Sequence, residues 1–70
     1  MSDRTAPRHT NDSPIAKARI NAGLTQSQLA ELIGTTQQVI AKWENGVSSP
    51  RVATLKRLAE VLKADISELI

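Results

Sequence analysis

Residues 24–46 read LTQSQLAELIGTTQQVIAKWENG, and this stretch decides the fold of the chain. Its apolar residues recur at three- and four-residue spacing, which predicts two short helices on either side of Gly34. In the second helix Ile40 and Trp43 share one side, and polar residues fill the other. Such a helix packs by its apolar side and presents amides and a positive charge outward.

The ends of these two helices are marked by capping residues. Thr25 with Gln28 three positions later forms a capping-box pattern at the first start, and Thr36 is a suitable N-cap for the second. Asn45-Gly46 then predicts a turn. Only Gly34-Thr35 separates the two helices, so we expect them to cross steeply.

The flanking sequence predicts three more helices. Ser13-Pro14 is a strong helix start, and the first helix should run to about residue 22, with Ile15 and Ala18 on its buried side. A fourth helix is predicted by a stripe of apolar residues at positions 55, 58, 59 and 62. Asp65 should cap a last short helix, with Glu68 in the capping-box position and residues 66 and 69 facing inward. The fold class is therefore all-α, with five short helices around one core.

Composition limits what this core and its surroundings are. The 70 residues carry a net charge of +2, one aromatic residue and no cysteine. We expect an aliphatic core, a reducing cytoplasmic location, and neither a membrane span nor export. No nucleophilic cysteine, glycine-rich phosphate loop or carboxylate cluster is present, so we expect no enzyme activity and no metal, cofactor or small-molecule ligand.

Residues 1–13 are polar and lack apolar periodicity, which predicts a disordered tail ahead of one domain spanning residues 14–70. A basic arm that enters a minor groove is the alternative, but Arg4 and Arg8 are balanced by Asp3 and Asp12. His9, in the same tail, has no neighbouring ligand residues, so we interpret it as solvated.

Two segments carry a resemblance to a known family. They are residues 19–34, RINAGLTQSQLAELIG, and residues 40–62, IAKWENGVSSPRVATLKRLAEVL. The pattern R-x3-GLTQ-x2-LA-x2-IG, followed by I-x2-WENG-x3-P-x4-L-x2-LA-x2-L, resembles the Cro/C1-type helix-turn-helix family. GTTQQ at residues 34–38 resembles the recognition segment of lambdoid phage repressors of the 434 type. One departure from the family pattern is Lys63, which stands where the family commonly has a left-handed glycine.

The resemblance implies a compact lambda-repressor-like domain that binds double-stranded DNA with its third helix in the major groove. Glutamine can pair with adenine N7 and N6 through two hydrogen bonds, so the expected base-reading residues are Thr36, Gln37, Gln38 and Lys42. The expected phosphate contacts are Gln26, Asn45, Ser48, Ser49 and Arg51. By the same resemblance, Arg19 and Glu44 form an ion pair that braces the third helix. An ordinary solvent-exposed helix face would show the same residue types, but the surrounding family pattern favours the DNA-binding interpretation.

A domain of this size has a small footprint, so we expect a homodimer on a pseudo-palindromic operator, acting as a repressor. Two alternatives stay open. The same helices resemble the domain of bridging coactivators, in which the partner is a protein. An antitoxin that represses its own operon is the other.

Overall fold

The computed structural model describes residues 13–70, which form four α-helices and one short 3-10 turn. Among these residues there is no β-strand. The elements, in chain order, are α1 Pro14–Asn21, α2 Gln26–Ile33, α3 Gln37–Asn45, α4 Val52–Leu62 and the 3-10 turn Ile66–Glu68.

The predicted fifth helix is wrong, because the chain forms only the 3-10 turn at that place. The Asp65 side chain makes no capping hydrogen bond. The backbone closes the turn instead: the Glu68 N–H donates to the Asp65 carbonyl at 2.9 Å, and the Leu69 N–H donates to the Ile66 carbonyl at 3.0 Å. Three residues are too few for the i to i−4 ladder that defines an α-helix.

The first three helices start on side-chain caps, as predicted. The Ser13 hydroxyl accepts from the Ala16 N–H at 3.0 Å. At α2 the capping box is complete, since Thr25 Oγ1 accepts from the Gln28 N–H at 3.0 Å and Gln28 Oε1 accepts from the Thr25 N–H at 2.8 Å. Thr36 caps α3 through the Val39 N–H at 3.3 Å. These bonds satisfy amide groups that lack partners inside a helix.

The connection between α2 and α3 is short because Gly34 turns the chain sharply. Its φ of +87° lies in the left-handed region, which glycine reaches without a side-chain clash. The N–H groups of Gly34 and Thr35 both donate to the Ala30 carbonyl, at 2.8 and 2.9 Å. Thr36 then begins the next helix, so α2 and α3 pack directly against each other.

All four helices and the carboxyl-terminal segment contribute to one core. Its buried side chains are aliphatic, as expected, and they are Ile15, Ala16, Leu29, Ala30, Ile40, Leu58, Leu62 and Leu69. Trp43 is half-buried and packs against this core. The core therefore holds α3 by one side and leaves its other side outside.

One of the predicted inward-facing residues needs correction. In α1 Ile15 is buried and Ala18 is partly buried and packs against the core, as predicted; Ala16 and Arg19 are buried as well. After α4, Leu69 is 4% exposed as predicted, but Ile66 is 37% exposed. A 3-10 turn places residues three apart on the same side, and here only the second of them reaches the core.

The predicted disordered tail, with His9, falls on residues 1–12 and Ser13; of these only Ser13 is among the described residues. In residues 13–70 no helix has the length and apolar character needed to cross a membrane.

Candidate nucleic-acid interface

The outer face of α3 is polar and exposed. Gln37, Gln38 and Lys42 are exposed along it, and the capping residue Thr36 is exposed at its start. On the opposite side Ile40 is completely buried. The predicted base-reading residues therefore lie together on one accessible surface of a helix that the core holds from behind.

A buried ion pair joins α1 to the last turn of α3. Arg19 Nε donates to Glu44 Oε2 at 2.6 Å, and Arg19 Nη2 donates to Glu44 Oε1 at 3.1 Å. The remaining guanidinium nitrogen, Nη1, donates to the Leu24 carbonyl at 2.8 Å. The Glu44 side chain has no solvent exposure, and that of Arg19 is 10% exposed. The Arg19 guanidinium thus links α1 to α3 through Glu44 and to the segment that leads into α2 through Leu24.

Two glutamines extend this ion pair to the surface. Gln26 Nε2 donates to Glu44 Oε1 at 2.8 Å, and Gln37 Nε2 donates to Gln26 Oε1 at 2.6 Å. We call Arg19, Glu44, Gln26 and Gln37 the polar relay. It starts in the interior and ends at the first residue of α3.

The glutamine part of the polar relay was not expected from the sequence. Gln26 was expected only as a phosphate contact, yet its amide bonds to two protein groups and keeps one N–H free. No periodic pattern connects residues that lie 11 and 18 positions apart. The available signal was the placement of glutamines at the first positions of two helices that only three residues separate.

The predicted phosphate contacts after α3 are all on the surface. Asn45, Ser48, Ser49 and Arg51 are exposed, in the segment that leads from α3 into α4. Arg51 is the N-cap residue of α4 and makes no side-chain capping bond. Among the described residues, no group of three or more His, Cys, Asp or Glu side chains is placed to hold a metal ion.

A model of the helix-turn-helix family matches residues 15–69. The chain is 34% identical over 56 residues to the HTH-type transcriptional activator BcrR of Enterococcus faecalis, covering 80% of this chain and 28% of that protein. It is 40% identical over 52 residues to multiprotein-bridging factor 1a of Arabidopsis thaliana, covering 74% and 37%.

An uncharacterized HTH-type transcriptional regulator of Methanothermobacter thermautotrophicus is 42% identical over 48 residues, covering 69% of this chain and 70% of that protein. Thus the chain spans less than two fifths of the bacterial activator and of the plant bridging factor. No solved structure matches significantly.

Proposed function

The chain belongs to the Cro/C1-type helix-turn-helix family of transcriptional regulators, and from that premise we propose that it regulates transcription by reading a specific DNA sequence with α3. The observation that carries the proposal is the exposed polar face of α3, which the core and the Arg19–Glu44 pair hold from behind. An α-helix fits the major groove, where each base pair presents a distinct pattern of donors and acceptors.

In this proposal Gln37 is the principal base reader. One N–H of its Nε2 is bonded to Gln26, which leaves the second N–H and Oε1 for a base. These two groups match N7 and N6 of adenine. Gln38 reads the neighbouring base pair, Lys42 one turn later donates to a base acceptor or a phosphate, and the Thr36 methyl contacts a thymine methyl.

Phosphate contacts position the protein on the duplex without reading sequence. We assign them to the free N–H of Gln26 and to exposed donors after α3, which are Asn45, Ser48, Ser49 and Arg51. Gln26 is in the first turn of α2, where unpaired backbone amides also favour an anion.

The small footprint of one domain supports binding as a homodimer. Two copies on half-sites about 34–36 Å apart would place both α3 helices on one side of the duplex. We propose that such a dimer binds a pseudo-palindromic operator and represses by occupying a promoter. The first relative above is named an activator, so a reporter assay with the selected operator would decide the direction of regulation.

Selection from random duplexes, read at two salt concentrations, tests this proposal. We expect an enriched palindromic motif and a log–log salt slope of about −5 to −7, since about 6–8 phosphate contacts release counterions. A Gln37→Ala/Gln38→Ala variant should fold, as judged by circular dichroism, and lose the motif. Ser27→Ala, an exposed change on α2, is the control and should keep it.

A protein-interaction module is the second candidate, and the identity to multiprotein-bridging factor 1a favours it. In that case the selection yields no motif. A protein partner identified for the wild type would then bind the double glutamine variant with unchanged affinity.

A further inference from the structure

We propose that Asn45 is a self-modification site, at which the side-chain amide is converted to a carboxylate in the folded protein and the new charge weakens DNA binding. Water is the only co-reactant, and no second protein takes part. The effect on DNA rests on the proposed function, because it takes Asn45 as a phosphate contact, whereas the conversion itself does not depend on DNA.

The reaction joins the backbone nitrogen of Gly46 to the side chain of Asn45. The nitrogen attacks Cγ, a C–N bond forms, and the side-chain nitrogen leaves as ammonia with the proton that Gly46 gives up. Water then opens the five-membered succinimide ring at one of its two carbonyl groups, which yields aspartate or isoaspartate. Atoms balance without an oxidant, a reductant or a transferred group.

The sequence favours this reaction at one asparagine. Of the three asparagines in the chain, at positions 11, 21 and 45, only Asn45 precedes glycine. Glycine favours the attack because it has no Cβ to crowd the close approach of its backbone. Asn45 is also exposed, and its side-chain amide makes no hydrogen bond to any residue of the described part of the chain. The group under attack is therefore accessible and unrestrained.

The nucleophile is held only by a shared acceptor. The Gly46 N–H donates to the Lys42 and Trp43 carbonyls, to the second of them at 3.3 Å. The Lys42 carbonyl also accepts from the Val47 N–H at 2.9 Å and from the Ser48 N–H at 3.4 Å. A carbonyl oxygen has two lone pairs, so three donors cannot all bond to it well.

The end of α3 can therefore open locally. Glu44 is completely buried and anchors the last turn, whereas residues 45–49 are all exposed. Exposed backbone hydrogen bonds with little apolar burial open at a small cost in free energy. Opening after Glu44 frees the Gly46 nitrogen while the core stays folded. The fold thus slows the conversion of Asn45 without preventing it.

α1 provides an internal comparison, because it too ends on an exposed asparagine, Asn21. There the attacking nitrogen would be that of Ala22, which carries a Cβ. Its N–H donates to the carbonyls of residues 18 and 19 at 3.0 and 3.1 Å. We expect conversion at Asn45 to be at least about 10-fold faster than at Asn21.

A carboxylate at position 45 would face the DNA backbone. The side chain would lose its N–H donors, and its negative charge would repel a phosphate. We expect Asn45→Asp, which mimics the converted protein, to bind the selected duplex about 10-fold more weakly, with a larger loss at low salt. Bound DNA should slow the conversion, since a phosphate contact restrains the Asn45 amide and the segment that follows it.

Ageing of the folded protein at constant temperature and mildly alkaline pH tests the proposal, with and without the selected duplex. Peptide mapping by mass spectrometry follows aspartate and isoaspartate at positions 45 and 21, and a binding assay follows the affinity. The control is Asn45→Gln, which keeps an amide but would have to close a less accessible six-membered ring. It should keep its own starting affinity throughout, whereas the wild type loses affinity as Asn45 is converted.

Three outcomes would contradict the proposal in distinguishable ways. If Asn45 is converted no faster than Asn21, the modification site is wrong and the proposed function stands. If Asn45 is converted but the aged protein and Asn45→Asp bind as tightly as fresh wild type, the proposed effect on DNA is wrong. If fresh wild type selects no DNA motif, the proposed function has failed, and the peptide map alone decides whether Asn45 is a modification site.

Discussion

The helix-turn-helix segment, residues 24–46, and the carboxyl-terminal segment, residues 51–70, begin and end their helices by different means. In the first segment Thr25 and Thr36 cap both helices through their side chains. Both helices end on glycines with positive φ, Gly34 and Gly46. Every helix end there has the residue type that the local backbone favours.

The carboxyl-terminal segment has neither these side-chain caps nor a glycine at the end of its helix. Neither Arg51 nor Asp65 makes a side-chain capping bond. The residue that ends α4 with φ +56° is Lys63, not glycine. What holds this segment is apolar burial, chiefly of Leu58 and Leu69. Hydrogen bonds depend on direction, whereas the hydrophobic effect does not. The helices of residues 24–46, the segment proposed to read DNA, are therefore held in a more closely defined orientation than those of residues 51–70.

The largest expected effect comes from the interior of the polar relay. Glu44→Ala leaves the buried Arg19 guanidinium without its partner, and we expect a loss of about 3–5 kcal/mol in unfolding free energy. Glu60→Ala, a change of the same type at an exposed position of α4, should stay within about 0.5 kcal/mol. Urea denaturation followed by the fluorescence of Trp43 measures both. If the two variants lost equal amounts of unfolding free energy, hydrogen bonding to Glu44 would not be what distinguishes the helix-turn-helix segment from the carboxyl-terminal segment.

A double replacement separates stability from orientation. Arg19→Met/Glu44→Leu removes both charges and fills the space with apolar atoms, so stability should return to within about 1 kcal/mol of wild type. The adenine preference proposed for Gln37 should not return, since Gln26, to which Gln37 is bonded, has lost its hydrogen bond to the Glu44 carboxylate. Recovery of both properties would show that the relay serves stability alone.

The local part of the fold was predictable from the sequence because each signal is contained within a few residues. The capping box of Thr25, the left-handed Gly34 and the cap at Thr36 all follow from short patterns. The same rules failed at Asp65, where a capping-box pattern stands before a 3-10 turn. The backbone there closes a 3-10 turn of three residues, so the pattern had no α-helix to cap.

The candidate site was predictable in part. Amphipathic spacing identified the outer face of α3, and the family resemblance suggested the Arg19–Glu44 contact. The bonds of Gln26 to Glu44 and Gln37 were not predictable, because they depend on how α2 and α3 meet in space. A side chain in the first turn of a helix has several possible partners, and only tertiary structure selects among them.

The third prediction tests whether apolar burial holds the carboxyl-terminal segment. Leu69→Ala removes a side chain that is 4% exposed, and we expect a loss of about 2–3 kcal/mol. Ile66→Ala, three residues earlier and 37% exposed, should cost less than about 1 kcal/mol. Thermal unfolding by circular dichroism compares the two variants. If Leu69→Ala costs no more than Ile66→Ala, burial is not what holds this segment.

The fourth prediction compares the two capping-box sequences. Thr25→Ala removes a hydroxyl that accepts from the Gln28 N–H, and it should cost about 1 kcal/mol. Asp65→Ala removes a side chain without a capping bond, so its effect should be within about 0.3 kcal/mol. Urea denaturation at one temperature resolves the difference. A comparable loss at Asp65 would mean that both segments depend on capping.

The smallest effect is expected at the end of α4, and its sign is opposite. Lys63 has φ +56°, and the Ala64 N–H that follows it donates to the Ala59 carbonyl at 3.0 Å, as the Val47 N–H after Gly46 donates to the Lys42 carbonyl at 2.9 Å. Glycine relieves the strain of a Cβ in this conformation but loses more entropy on folding. Lys63→Gly should therefore stabilise the domain by about 0.5–1 kcal/mol.

Alanine at the same position is the matched control, because it removes the long side chain and keeps the Cβ. Lys63→Ala should change stability by less than about 0.3 kcal/mol. A gain with glycine alone identifies backbone strain as the cause, whereas equal gains from both variants would assign it to the lysine side chain. Because Lys63 lies outside the polar relay, the glycine variant should keep the wild-type base preference. The glycine variant would thus stabilise the carboxyl-terminal segment without altering the helix-turn-helix segment that is proposed to read DNA.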